Sequence, residues 1–254
     1  MKITSVTTGG PCWAEIGTAD PPAAKRFYAE LFGWRPETDP REEAGGYTVM
    51  MLDARPAAGL TQLFAPDQPT AWTVSFATDD ADAAAGRVTS AGGRVMLEPM
   101  EVLDLGRFSV VADTSGAVFA LWQARAFAGA GVLNEPGSLG WVELLTRNTE
   151  TAKAFYMRVF GWSVTPGETY TQWGLAGADF GGMLAMDDRF PPELPPHWVP
   201  YFAVADVDLT AERAAGLGGE VLMAPTSVPE GPRIAVLRDP QGAAFGVYLA
   251  GTEG

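Results

Sequence analysis

The sequence predicts an α+β protein assembled from four βαβββ modules, paired inside a tandem duplication and forming half-open barrels. Three observations predict it. The stretch WAEIGTADPPAAKRFYAELFGW at 13–34 returns as WVELLTRNTETAKAFYMRVFGW at 141–162, with ten of its 22 positions identical. WTVSFATDDADAAAGRVTSAGGRVM at 72–96 returns as WVPYFAVADVDLTAERAAGLGGEVL at 198–222. RFSVVADTSGAVFALW at 107–122 returns as RIAVLRDPQGAAFGVY at 233–248. The offsets, 128 residues and then 126, divide the 254-residue chain into halves at 1–128 and 129–254, joined by the loop-like AGAGVLNEPGS.

Each quarter follows one order. A short apolar strand ends at Asp20, Asp80, Asn148 or Asp206, residue types whose side chains accept from the orphan N–H groups of a helix start. A helix of about a dozen residues follows; the first opens with Pro and spaces Phe27, Leu31 and Phe32 at helical intervals. Gly33, Gly92-Gly93, Gly161 and Gly218-Gly219 stop these helices. Two or three strands complete each quarter, with Asp-Thr-Ser-Gly and Asp-Pro-Gln-Gly as hairpin turns.

The composition narrows function. A net charge of −14 disfavours nucleic acid and anionic membrane faces. No segment has the length and apolarity of a membrane span or signal peptide. The single Cys12 cannot form an internal disulfide, so the expected compartment is the cytoplasm. Neither a phosphate-cradling Gly-Lys loop nor a dinucleotide fingerprint is present. The one histidine, His197, lies in the Pro-rich PPELPPHW connector and reads as a strand-edge cap. Met183, Met186 and Met223 read as fillers of core gaps.

The D/N-x-x-x-A-x-x-F-Y-x-x-x-F-G-W helices, the D-x-D…GG units and the D-x-x-G-A-x-F hairpins resemble the glyoxalase/bleomycin-resistance/dioxygenase (vicinal oxygen chelate) superfamily. The likeness covers essentially the whole chain and is nearest to a two-domain actinobacterial, glyoxalase-like or hydroxylase-like subgroup. It implies the fold, with a cavity on the concave face of each module pair, but not one reaction. Metal-using members carry ligands seven residues before the capping Asp and four after the hairpin Gly. Those positions here are Trp13, Thr73, Trp141 and Val199, then Ala120 and Gly246. None supplies the O, N or S donor that a divalent ion needs, so the expectation is no metal and no cofactor.

Strand alternation places Trp13 and Glu15, Trp141 and Glu143, Thr73 and Ser75, and Val199 and Tyr201 on the concave face that the resemblance implies. Trp122 and Tyr248 join them from the last strands, while Trp72, Trp198, Phe76 and Phe202 fall under the helices. These ligand-binding candidates describe indole and phenol walls suited to a small aromatic or polyketide-like molecule. Another reading has the tryptophans simply filling the old metal position. Glu15 and Glu143 are the catalytic candidates, since a carboxylate on an apolar face has a raised pKa or a dedicated partner. Arg107 and Arg233 recur at matching positions and are candidate partners. Tyr47 and Tyr170, in repeated Tyr-Thr pairs, are further lining candidates whose strand parity is open.

The leading functional expectation is metal-independent binding of such a molecule, with catalysis open. One alternative is a cofactor-independent isomerase or lyase using Glu15 or Glu143 as acid or base; another is a metal-dependent glyoxalase or dioxygenase. The sequence leaves open whether modules pair 1 with 2 or 1 with 4, and whether the protein is a monomer or a homodimer.

Overall fold

A computed structural model describes residues 7–65, 68–167, 169–229 and 231–250. The outermost residues of both halves, 1–6 and 251–254, lie outside the described residues. The first half runs β1 (Pro11–Thr18), α1 (Pro21–Phe32), β2 (Arg35–Thr38), β3 (Thr48–Leu52), β4 (Arg55–Gln62), then β5 (Ala71–Ala77), α2 (Ala81–Ser90), β6 (Arg94–Val102), β7 (Gly106–Ala112) and β8 (Val118–Ala124). The second half repeats it as β9 (Leu139–Thr146), α3 (Thr149–Phe160), β10 (Ser163–Pro166), β11 (Tyr170–Leu175), β12 (Ala178–Ala185), then β13 (His197–Val204), α4 (Val207–Gly216), β14 (Glu220–Ser227), β15 (Arg233–Arg238) and β16 (Ala244–Leu249). The βαβββ order therefore holds four times. No helix among the described residues is long and apolar enough to cross a membrane.

The capping residues act as their chemistry requires. Asp20, Asp80, Asn148 and Asp206 accept from the N–H groups of Ala23, Ala83, Thr151 and Leu209 at 2.9–3.1 Å. Gly33 and Gly161 close α1 and α3 in the left-handed conformation that L side chains avoid.

Each half forms one eight-stranded sheet, in the orders β2-β3-β4-β1-β5-β8-β7-β6 and β10-β11-β12-β9-β13-β16-β15-β14. Modules are thus joined by strand pairing as 1 with 2 and 3 with 4, through the antiparallel β1–β5 and β9–β13 ladders. The helices make the other connection. The Tyr28 hydroxyl of α1 donates to Asp239 on the β15–β16 hairpin at 3.0 Å and accepts from Trp72 Nε1. Tyr156 of α3 likewise donates to Asp113 on the β7–β8 hairpin at 3.1 Å and accepts from Trp198 Nε1. Trp34 and Trp162 each donate an indole N–H across the halves, to the carbonyls of Gly137 and Gly9 at 2.7 Å. All four helices and one face of each sheet share a single core, with Trp72, Phe76, Trp198 and Phe202 inside it as their parity predicts.

Candidate functional site

The opposite face of each sheet carries the repeated Trp-x-Glu. In the first half, Trp13 pairs in register with Ser75 and Glu15 with Thr73. In the second, Trp141 pairs with Tyr201 and Glu143 with Val199. Trp13 Nε1 donates to the Tyr47 hydroxyl at 2.8 Å, and Tyr47 donates on to Glu15 Oε2 at 2.8 Å. Trp141 Nε1 donates to the Tyr170 hydroxyl at 3.0 Å, and Tyr170 also bonds the Glu143 carboxyl. Since each tyrosine oxygen accepts from an indole, its own proton is committed to the carboxylate. The chain therefore builds one Trp→Tyr→Glu relay per half.

The partners of the two glutamates are tyrosines, not the arginines expected from the sequence. Arg107 pairs with Asp82 and Glu101, and Arg233 pairs with Asp208. Tyr47 and Tyr170, whose parity was open, supply the bonds instead. Glu143 has a further partner: Tyr201, a lining candidate, donates to Glu143 Oε2 at 3.0 Å. Its ring lies over Gly246, where any Cβ would run into it. The first half has Ser75 and Ala120 at those positions. A Cβ on Gly182 would similarly occupy the place of the Tyr170 hydroxyl.

Burial raises both carboxyls above their ordinary value of 4.5. The phenol bonds oppose that rise, from Tyr47 on Glu15 and from Tyr170 and Tyr201 on Glu143. Glu143 is 9% exposed, yet among the described residues it has no cationic neighbour. Its charge is offset by hydrogen bonds alone, an arrangement that leaves its protonation responsive to its surroundings.

The two concave faces differ in what fills them. In the first half, Trp13 and Trp122 pack with Cys12, Ala130 and Phe127. Phe127, on the connector between halves, stands perpendicular to Trp13 at 5.0 Å and faces Trp122 at 6.1 Å. Trp122 Nε1 donates to the Phe127 carbonyl at 2.9 Å, which fixes the connector there. Trp13 and Trp122 are consequently 4% and 8% exposed. Thr73 and Ser75 stay on this face, with Ser75 buried.

The second half is an open cleft of about 2210 Å³. Trp141, Glu143, Tyr170, Val199, Tyr201 and Tyr248 line it, so the structure brings together all the second-half candidates. Segment 187–196 forms one wall through Arg189, Phe190, Pro191 and Leu194. Arg147 pins that segment by donating to the carbonyls of Pro191, Pro192 and Leu194. Val228, Pro229, Gly231 and Pro232 of the β14–β15 hairpin form another wall. His197, the first residue of β13, also lines the cleft. Its Nδ1 lies 2.8 Å from the Pro195 carbonyl, which can only accept, so Nδ1 carries the proton and Nε2 is left as an acceptor. Burial lowers the ring's pKa, keeping it neutral. Met223 lines the cleft as well, while Met183 and Met186 are buried.

The donor set does not fit the divalent ion that related proteins bind. Among the described residues no three His, Cys, Asp or Glu side chains converge. The expected positions hold Trp13, Thr73, Trp141 and Val199 on first strands and Ala120 and Gly246 on last strands. Tyrosine rings take the space over the glycines. The arrangement can seat an apolar, flat molecule and meet its polar edge with one carboxyl, three phenols and one imidazole.

Comparison with known proteins agrees with the fold. The chain is 40% identical over 263 residues to the anthracycline biosynthesis protein DnrV of Streptomyces peucetius, covering 96% of this chain and 94% of that one. It is 39% identical over 255 residues to the "Putative glyoxylase CFP32" of Mycobacterium tuberculosis, covering 97% of each. Among solved structures, the Mn(II)-bound glyoxalase of Novosphingobium aromaticivorans superposes with a TM-score of 0.69 at 18% identity, over 96% of this chain and 82% of that one. The 2,3-dioxygenase LapB of Pseudomonas sp. KL28 gives 0.68 at 14%, over 97% and 94%. At those identities the likeness is one of fold. The model of the Glyoxalase/Bleomycin resistance protein/Dioxygenase superfamily matches residues 11–121 and 138–247, and the chain belongs to that family.

Proposed function

We propose that the protein binds a small planar aromatic or polyketide-like molecule in the second-half cleft, without a metal ion. The carrying observation is the cleft's make-up, with indole and phenol walls around one buried carboxyl. Aromatic walls bury flat surface at low entropic cost and favour stacked or perpendicular ring contacts. The naming of 40%-identical relatives for anthracycline biosynthesis supports the same class of guest.

A test is titration with 1,4-dihydroxyanthraquinone, a hydroxylated flat chromophore, followed by calorimetry with and without EDTA. Saturable binding of one molecule per chain, unchanged by EDTA, is expected. Absence of binding, or binding that appears only after Mn(II) is added, would overturn the proposal.

A second reading rests on Glu143, whose carboxyl burial raises. Such a carboxyl is a stronger base than an exposed one, and enolisation or isomerisation of a bound carbonyl compound needs a group that takes and returns a proton. Under this reading Glu143→Gln abolishes conversion of the bound compound while its affinity stays within a few-fold. Conversion that survives Glu143→Gln would remove Glu143 from the chemistry and overturn this reading.

A further inference from the structure

The first half carries its own aromatic occupant, and its geometry indicates how the second half holds a foreign one. Trp13 and Trp141 are equivalent by sequence and by register, since each pairs across the central ladder with the equivalent residues Ser75 and Tyr201. Their indoles are fixed by the same bond, to Tyr47 and to Tyr170. Trp122 and Tyr248 are likewise equivalent, paired with Ala77 and Ala203. Between the first pair sits Phe127, perpendicular to Trp13 at 86°. Trp141 and Tyr248 are only half-buried and pack against Leu145, Met186, Val199 and Tyr201, and among the described residues no ring is inserted between them as Phe127 is between Trp13 and Trp122. Tyr248 is held in place by donating to Asn134 Oδ1 at 3.2 Å.

We infer that the ligand's aromatic ring sits between Trp141 and Tyr248, perpendicular to Trp141, as Phe127 sits between Trp13 and Trp122. The inference rests on the binding reading above and deepens it. Glu143 lies two residues along β9 on the same face, about 7 Å away by strand rise. At the side-chain level the two are closer, because the Tyr170 hydroxyl reaches both the Trp141 indole and the Glu143 carboxyl, so a hydroxyl on an aromatic ring laid against Trp141 comes within reach of Glu143. A carboxylate has about four lone-pair sites, so Glu143 can accept from such a hydroxyl while holding Tyr170 and Tyr201. The ligand class is thus a hydroxylated aromatic, its ring at Trp141 and its hydroxyl at Glu143.

The test uses the full chain and 1,4-dihydroxyanthraquinone. Tryptophans are replaced by 5-fluorotryptophan, and the Trp141 signal is assigned by its loss in Trp141→Phe. The expected result is a fluorine shift at Trp141 with Trp13 unmoved. Trp141→Ala and Tyr248→Ala should each weaken binding about tenfold, comparable to the loss of one aromatic contact and its buried area. Melting curves identify any variant that fails to fold, and the wild-type fluorine spectrum gives the answer in that event. Binding to the wild type with the Trp141 signal unmoved, or affinity within twofold in both folded variants, overturns the inference and leaves the binding reading standing. No binding to the wild type overturns both.

Discussion

Glu143 is the residue on which the chemistry of this cleft turns. Among the described residues its buried charge has no counter-ion, and Tyr170 and Tyr201 together offset only part of that cost. A carboxyl whose pKa rises on folding binds more protons in the native state. Stability is therefore full below 4.5 and is lost as pH climbs through the raised native value. Glu143→Gln is expected to flatten this loss, so that the variant's melting temperature gains on the wild type as pH rises from acid to neutral. Thermal scans across that range check it; parallel curves would mean that the carboxyl does not titrate differently in the two states. Gly246 offers a second test, because its missing Cβ makes room for Tyr201. Gly246→Ala alone should destabilise by about 1–3 kcal/mol through overpacking. Adding Tyr201→Ser, which recreates the Ser75 and Ala120 pair of the first half, should recover most of that loss in denaturant titrations. The repeated Trp-x-Glu was legible because two residues fixed at one spacing stand out in a duplication. Their tyrosine partners were visible as a repeat but could not be placed on a face. Register irregularities at Met50/Met51 in β3 and at Trp173/Gly174 in β11 break the two-residue alternation on which parity rests.

At the scale of elements, helices were readable from end to end. Asp or Asn caps, apolar spacing and terminal glycines are local signals, and α1 buries Ala24, Phe27, Tyr28, Leu31 and Phe32 on one face as that spacing requires. What the Tyr of each Phe-Tyr pair touches was not readable, because its partners Asp239 and Asp113 are 211 and 43 residues away. Removing that hydroxyl leaves a buried carboxylate and a buried indole N–H each short of a partner. Tyr28→Phe and Tyr156→Phe should each cost about 1–3 kcal/mol. They share no hydrogen-bond partner, so their effects should add in the double variant, as chemical denaturation would reveal. The connector looked like a plain loop in sequence, yet Phe127 anchors it between two indoles. Phe127→Ala is expected to lower stability by about 1–3 kcal/mol, less than a fully buried ring because Phe127 is only partly buried. An unchanged melting temperature would show that the first-half cluster collapses around the gap.

At the scale of the whole molecule, the two ways of pairing modules turn out not to exclude one another. Strands join 1 to 2 and 3 to 4, the helix tyrosines brace 1 against 4 and 3 against 2, and the Trp34 and Trp162 indoles tie modules 1 and 3 to each other. Sequence could state the bare-face problem but not choose, because both solutions bury the same apolar helix stripe. A chain cut at residue 128 should therefore give fragments that do not fold separately, each losing half of a shared core. Co-expression should restore a soluble pair. A fragment that melts cooperatively by itself would contradict the shared core.

The cross-bracing also sets which parts of the duplicated halves are free to drift apart. Any change to a helix tyrosine or its hairpin aspartate must be answered in the opposite half, so those positions are tied to one another like two hands of a clasp. The concave faces have no such obligation. One half could take a piece of its own connector as a permanent guest, while the other kept an open seat for a molecule that comes and goes.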